Sequence, residues 1–477
     1  MSSSANDGLR AVPFAVTDPE RIPAPRYYDE AFYQAEVEHL WPHVWQMACR
    51  LEQIPEVGDW YEYHNLGASV IVVRTSEGVK AFHNACRHRG VPLTGNSEFA
   101  SGNCAKTGFV CPFHGWRWNM DGENTFVYGR HLFSERQLQA DDINLRPCRV
   151  EVWGGCAWIN LDDSAPSVKE SLGPVADRLE VHGIDDLKME WWYGTHLPAN
   201  WKIAMEAFME GYHVTTTHPQ LRAAEEDRFY DQYNDAGAPG KGDSKEKSRS
   251  GAKPGLATEE AVAIQIRRMA KLSEGMAGMV HPKEIDIMSQ VPAEGLDGDA
   301  VRGVPSWFGR VNAEITRQLR EKGEPVPDLN TIMASDPVHA VEFLFPHYFV
   351  LPVFTSMSAY RIRPTGPETC FFEIWSLTMY PEDADYEAPT EPTILPFDSQ
   401  EFPPIPRQDY SNIPIQQKGT HSKGFEFMRL SQDVEGLVSN YQRLIDGYLA
   451  GQPLDKLAKA NHELGGNFDG PIKPLDI

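Results

Sequence analysis

Residues 84–90 read NACRHRG, and residues 110–118 read VCPFHGWRW. Together they form the pattern C-x-H-x22-C-x-x-H, with Cys86, His88, Cys111 and His114 as its members. A thiol beside an imidazole can be a nucleophile with its base, half of a metal site, or an accident of neighbours. A second Cys-His pair nearby favours the metal site: two thiolates and two imidazoles suit a tetrahedral zinc ion, or a [2Fe–2S] cluster with both histidines on one iron. Zinc fingers usually put both cysteines in one pair and both histidines in the other. Here each loop delivers one of each, which a two-iron centre needs if each loop is to reach both irons.

The surrounding chain is compatible with such a centre. From Trp60 to Leu161 short β-branched runs such as Ser69-Val70-Ile71-Val72-Val73 alternate with Gly-containing turns, the texture of a small all-β domain. The seven cysteines, an odd and sparse set in 477 residues, argue for reduced thiols or metal ligands rather than a disulfide framework. Cys49, Cys148, Cys156 and Cys370 read as core packing, and Cys104 is left unassigned.

With these residues in view, the chain resembles the Rieske non-haem iron oxygenases, the aromatic ring-hydroxylating dioxygenase alpha-subunit family. Their signature, C-x-H-R-G followed by C-P-x-H-G-W, is matched at Cys86, His88, Arg89, Gly90, Cys111, Pro112, His114, Gly115 and Trp116. The spacer between the two loops is several residues longer than usual, and the surplus is placed near Gly95–Lys106. Gly90 and Gly115 are read as admitting backbone N–H groups to the cluster sulfurs, and Pro112, Trp116 and Trp118 as a cover against solvent.

A second constellation follows at 199–220, ANWKIAMEAFMEGYHVTTTHPQ. Asn200 is a good helix N-cap, and Glu206, Glu210 and His213 fall at i, i+4 and i+7 on one helical face. The β-branched run Thr215-Thr216-Thr217 and Pro219 should break that helix just after His213 and let His218 turn back towards it. Two histidines and a carboxylate make the facial triad of non-haem Fe(II) oxygenases. The family motif N-W-K followed by (D/E)-x-x-H-x-x-x-x-H is matched from Asn200 to His218, which implies His213 and His218 as metal ligands. The resemblance also implies a distant aspartate on a helix, commonly after Gln or Glu. MRLSQDVEGLVSNYQ at 428–442 supplies Asp433, with Glu435 as runner-up, on an expected helix from Phe425 to Ala450.

Glu210 stands where most members of the family have aspartate. The resemblance makes its carboxylate the catalytic bridge from His213 to His114 of a neighbouring subunit, so that the working protein is a ring, expected to be a homotrimer. A few members acting on quaternary amines carry Glu here.

The fold implied is α+β: an all-β Rieske [2Fe-2S] domain plus a helix-grip (Bet v 1/START-like) catalytic domain with an antiparallel sheet. The expected divisions are an N-terminal helical segment packing on the catalytic domain at 1–44, the Rieske domain at 45–165 and the catalytic domain at 166–477. The last carries a mobile polar insertion at about 225–335, centred on NDAGAPGKGDSKEKSRSGAKPG at 234–255. Cofactors implied are one [2Fe-2S] cluster and one Fe(2+) per chain. Partners implied are O2, an organic substrate, a separate reductase, sometimes a ferredoxin, and in some members a small beta subunit.

Lys+Arg 44 against Asp+Glu 68 gives a net charge of −24, which disfavours nucleic acid and anionic membranes as partners. No stretch approaches the roughly 20 apolar residues that span a bilayer, and the N-terminus lacks a signal pattern, so a cytoplasmic protein is expected. Phe343, Phe345, Phe349, Phe354 and Met357 are candidate pocket residues, and their bulk favours hydroxylation of a large apolar, aromatic or polycyclic substrate, with a role in aromatic hydrocarbon catabolism. Glu210 motivates the alternative, oxidative N-demethylation or C–N cleavage of a quaternary amine. An electron-transfer or ligand-binding protein without oxygenase activity is the non-enzymatic reading.

Overall fold

Alternate side chains of the strand Ala68–Thr75 enter two different cores, because successive residues of a strand face opposite ways. Ile71 and Val73 pack with Cys86, Cys111, Trp116 and Trp118, while Val70 and Val72 pack with Cys49, Cys148 and Ala157. In the computed structural model, which describes residues 9, 11–95, 99–225, 228–231, 233, 251–276 and 278–477, this strand lies within a four-stranded antiparallel sheet. Its neighbours are Gly78–His83 on one side and Asp59–Asn65 on the other, with Ser101–Asn103 at the edge. Two three-stranded sheets complete the unit, one from Phe109–Val110, Arg117–Trp118 and Asn124–Phe126, the other from Arg149–Trp153, Cys156–Asn160 and Gln46–Arg50.

The second unit is built on a six-stranded sheet in the order Glu342–Leu344, Tyr348–Val353, Ser356–Gly366, Thr369–Thr378, Lys188–Leu197, Thr393–Ile394. All its pairings are antiparallel except the last. Its strands are apolar on both faces because both are covered. Phe349, Tyr360 and Phe372 face the helices Trp201–Glu206, Pro404–Thr420 and Gly436–Leu449; Val350, Ala359 and Trp375 face the helix Ala300–Glu321 and its neighbours. The mixed-helix, antiparallel-sheet class implied by the resemblance is the observed one.

Arg361 and Arg363 join the two units. Arg361 pairs bidentately with Glu373 at 2.7 Å, and its Nη1 donates to the carbonyls of Met47 and Ala48 at 2.9 and 2.6 Å. Arg363 donates to the carbonyl of His64 at 2.6 Å. The segment before residue 44 lies against the second unit: Trp201 and Lys202 reach Glu36, and Tyr27 donates to Glu206.

Two expectations need correction. The segment expected as a mobile polar insertion contains four helices, Thr258–Met276, Pro282–Ser289, Ala300–Glu321 and Leu329–Ala334, whose apolar faces are buried. Its polar tract at 234–250, with residues 226–227, 232 and 277, lies outside the described residues. The last long helix starts at Gly436, not Phe425, because Phe427–Arg429 pairs as a strand with Arg21–Pro23. Among the described residues, no helix is long and apolar enough to cross a membrane.

Candidate iron centres

The two Cys-His loops have the same backbone frame. The carbonyl of Cys86 accepts from Gly90 N at 2.8 Å while Cys86 N donates to Val91 O at 2.8 Å; Cys111 repeats this with Gly115 at 3.0 Å and Trp116 at 2.9 Å. Each loop closes through a left-handed glycine, Gly90 at φ 78° and Gly115 at φ 69°. A Cβ on either would meet nothing within 4 Å. Both positions thus need the left-handed backbone region that favours glycine.

Within this shared frame the histidine sits two residues after the cysteine in one loop and three after it in the other, and both side chains are delivered to one place. The imidazole centroids of His88 and His114 are 4.7 Å apart. Cys86 and Cys111 are buried free thiols within hydrogen-bonding reach of each other. Burial pushes the Cys86 thiol up, opposed by the N–H groups of His88 and Arg89 directed at its sulfur. The residues fit a two-iron cluster: the Nδ1 atoms of both His88 and His114 are buried without any partner. Two orphaned imidazole nitrogens beside two thiols are costly unless something ligates them. Trp116 stacks on His88 at 5.0 Å and 5°, and Phe133 meets both rings edge-on. His114 instead neighbours Phe113, whose side chain is 59% exposed.

The second centre arises from broken helices. The helix after Asn200, whose side chain caps Lys202 N at 2.9 Å, ends at Glu206 rather than just after His213. Glu210 is therefore not on that helix. It lies in the following loop, where one carboxylate oxygen accepts from His213 N at 2.9 Å and the other meets His213 Nδ1 at 2.8 Å. A single helical turn, Val214–Thr217, then separates His213 from His218, and the chain breaks again at His218 (φ −118°, ψ 63°). The two imidazoles end with centroids 5.4 Å apart.

The carboxylate brought to them is Asp409, not Asp433. Asp409 Oδ1 lies 3.2 Å from His218 Nε2 and 3.9 Å from His213 Nε2, and the three groups offer donor atoms within 4.8 Å of one another. Asp433 is exposed on a turn ahead of the Gly436–Leu449 helix, and Glu435 is half-buried at that helix's N-cap. The sequence contains two Gln-Asp pairs, 408–409 and 432–433, and the first was obscured by Pro403, Pro404, Pro406 and Pro414. The helix Pro404–Thr420 tolerates the early prolines because the first N–H groups of a helix need no intrahelical acceptor.

Each imidazole is oriented by an acceptor behind it. His218 Nδ1 faces Gln408 Oε1 at 2.7 Å, a contact the sequence reading missed, and His213 Nδ1 faces Glu210. Burial alone would lower the His213 imidazole, but the Glu210 hydrogen bond and charge, with Asp409, hold it above its ordinary value. Two imidazoles with free Nε2 atoms around one 4%-exposed carboxylate are the donor set of a mononuclear iron site.

Beside Asp409 lies a cluster of packed aromatic rings. Phe349 stacks on Tyr360 at 4.6 Å, Phe208 meets Phe349, Tyr360 and Phe372 at 4.9 to 5.8 Å, and Phe372 meets Tyr410 at 5.0 Å. Tyr360 and Tyr410 are fully buried, the Tyr360 hydroxyl beside Ser358 and the Tyr410 hydroxyl without a partner, and the charge of Asp409 bears on both. Of the pocket residues read from sequence, Phe349 belongs to this cluster. Phe343 and Phe345 pack on Tyr441, and Met357 and Phe354 fall in the core on the opposite face of the sheet.

Comparison with known proteins agrees with both centres. The model of the "Ring hydroxylating alpha subunit (catalytic domain)" matches residues 179–451, and that of the "Rieske [2Fe-2S] domain" matches residues 44–127. The chain therefore belongs to the ring-hydroxylating alpha-subunit family of Rieske oxygenases, enzymes that carry a Rieske cluster and a mononuclear iron.

Among curated relatives, the carnitine monooxygenase oxygenase subunit of Escherichia coli (strain K12) is 30% identical over 217 residues, 44% of this chain and 55% of that protein. The glycine betaine monooxygenase oxygenase subunit of Chromohalobacter salexigens is 31% identical over 228 residues, 46% and 49% of the two chains. The aligned region thus spans about half the length of these relatives. Among solved structures, the quaternary ammonium Rieske monooxygenase CntA in complex with L-carnitine superposes with a TM-score of 0.54 at 18% identity, over 90% of this chain and 97% of that one. Naphthalene 1,2-dioxygenase from Rhodococcus sp. bound to indole gives 0.57 at 18%, over 94% and 98%. These two show the fold alone.

Proposed function

We propose that this oxygenase oxidises a quaternary amine at a carbon attached to nitrogen, with electrons supplied by a separate reductase. The observation that carries the substrate reading is the cluster of aromatic rings beside Asp409. Electron-rich ring faces attract a desolvated quaternary ammonium without a formal counter-charge, worth about 2 kcal/mol when buried. Glu210 in place of aspartate and the partial likeness to the two amine monooxygenase subunits support the same reading.

In this reading Cys86, Cys111, His88 and His114 hold the cluster, and His213, His218 and Asp409 hold the mononuclear iron. When bound, the two groups relay single electrons and activate O2. The residues of the chain do the rest. Glu210 holds His213 in the tautomer that leaves Nε2 free. The rings of Phe208, Phe349, Tyr360 and Phe372 exclude water and orient the ammonium, and the hydroxyl of Tyr410 is available to an acceptor on the substrate. The net reaction consumes O2, two electrons and two protons. One oxygen atom enters a C–H bond next to nitrogen, the other leaves as water, and collapse of the hydroxylated carbon breaks C–N to release an amine and an aldehyde.

Turnover of a panel of quaternary amines with a surrogate reductase under ¹⁸O2 tests this. An aldehyde formed with one labelled oxygen, trapped before exchange, supports the reading; uncoupled NADH oxidation with every amine sinks it. The apolar surfaces of Phe208, Phe349 and Phe372 motivate a second reading, a bulky arene as substrate, which predicts labelled hydroxylated product from an aromatic panel instead.

Head-to-tail assembly completes this proposal. The exposed Phe113 adjoins His114, and Tyr212, 57% exposed, lies between Glu210 and His213. A ring of copies, most simply a homotrimer, buries both apolar side chains and brings His114 of one copy to Glu210 of the next.

A further inference from the structure

His213 and His218 are oriented by acceptors of different kinds. Behind His213 stands a carboxylate; behind His218 stands a neutral amide that is itself held. Gln408 Oε1 meets His218 Nδ1 at 2.7 Å and accepts from Gln220 Nε2 at 2.9 Å, while Gln408 Nε2 donates back to Gln220 Oε1 at 3.2 Å. The two side-chain amides thus pair reciprocally, and one oxygen of the pair faces the imidazole. Each glutamine adjoins a member of the triad in sequence, Gln408 before Asp409 and Gln220 two residues after His218. The pair therefore joins the Pro404–Thr420 helix, which carries the carboxylate, to the Pro219–Ala223 turn, which follows the imidazole.

We propose that Gln408 and Gln220 form an amide latch that fixes His218 as the Nδ1–H tautomer, with Nε2 bare towards Asp409, and sets the spacing of these two groups. The proposal rests on the assignment of His213, His218 and Asp409 as the mononuclear site. A ligating Nε2 requires the ring proton on Nδ1, and that proton, on a side chain only 2% exposed, needs an acceptor within the protein. Gln408 is that acceptor. Gln220 restrains that amide, because turning Gln408 alone to present its NH2 group would set like groups of the two amides against each other. Neither residue touches the reacting atoms; both are positioning residues.

The test uses the full chain with its cluster retained, freed of mononuclear iron and titrated anaerobically with Co(II), followed by chelator competition and by the ligand-field spectrum. Q408A is expected to weaken Co(II) binding by roughly 10- to 100-fold and to shift the Co(II) bands, with the cluster absorption and melting temperature unchanged. Q220A is expected to weaken binding by a smaller factor. Q408E, which keeps an acceptor for both His218 and Gln220, is expected to restore affinity to within a few-fold. Unchanged Co(II) affinity and spectrum in Q408A, or a loss that Q408E does not restore, overturns the latch. A native chain whose Co(II) uptake is insensitive to D409A overturns the site itself, which separates the two failures.

Discussion

Asp409 and Asp433 follow glutamine in the same way, and their surroundings decide between them. Asp409 is buried 3.2 Å from His218 Nε2, whereas Asp433 sits in water on a turn. A buried carboxylate facing two imidazoles is costly unless a cation compensates it. D409A is therefore expected to contain two irons per chain and D433A three, by metal analysis against protein concentration. Three irons in D409A would return the third ligand to another residue. Glu206, on the helix that ends with it, is buried and accepts from Tyr27 and Gln442. Burial raises its carboxyl from 4.5 to about 7, against the pull of those hydrogen bonds and of Lys202. A folded state that holds this proton more tightly than the unfolded chain is most favoured below about 4.5, and that contribution is lost as pH rises through about 7, by roughly 3 kcal/mol at most. Denaturant unfolding between these pH values should show the decline in the native chain and a flatter profile in E206Q.

Elements were legible in the sequence where one force dominated. The strands of the first unit followed from β-branched runs and Gly-containing turns, and the cluster loops from four chemically distinctive side chains at fixed spacing. Legibility failed where tertiary contacts outweighed local preference. The helix Pro404–Thr420 looks like a loop because of its prolines, yet Ile405, Tyr410 and Ile413 bury its inner face and carry Asp409 inward. The end of the helix at Glu206 was invisible because Ala207 to Met209 are acceptable helix residues, and the loop after them is held from elsewhere, by Asp469 accepting from Gly211 N at 3.0 Å. Arg361 belongs to this scale too, since its guanidinium joins two strands of one sheet to Met47 and Ala48 of another. R361A leaves the fully buried Glu373 only the longer contact to Arg363 at 3.3 Å, and is expected to cost about 3 kcal/mol of stability in denaturant unfolding. R361K, which cannot reproduce the bidentate pair, should recover only part of it.

At the scale of the whole molecule, the two centres face different problems of access. His88 packs against Trp116 and Phe133, while His114 stands beside the exposed Phe113, so a route out of the cluster by way of His114 leads to the surface of the unit. Glu210 is likewise near the surface, with its side chain 13% exposed and Tyr212 outside it. Two surface-directed ends, each bordered by an exposed aromatic ring, are what a closed head-to-tail assembly joins. Mixed assemblies test this directly. A chain carrying H114A can still bind substrate and Fe(II) but cannot pass an electron on; a chain carrying D409A keeps its cluster but lacks the third group of the triad. Either variant alone is expected to be inactive. Co-expressed and purified through two different tags, they place an intact cluster beside an intact triad wherever an H114A chain follows a D409A chain, and turnover should return to a substantial fraction of the native rate per intact pair. If transfer runs within one chain, every chain in the mixture lacks one end of the path, and no activity returns at any mixing ratio.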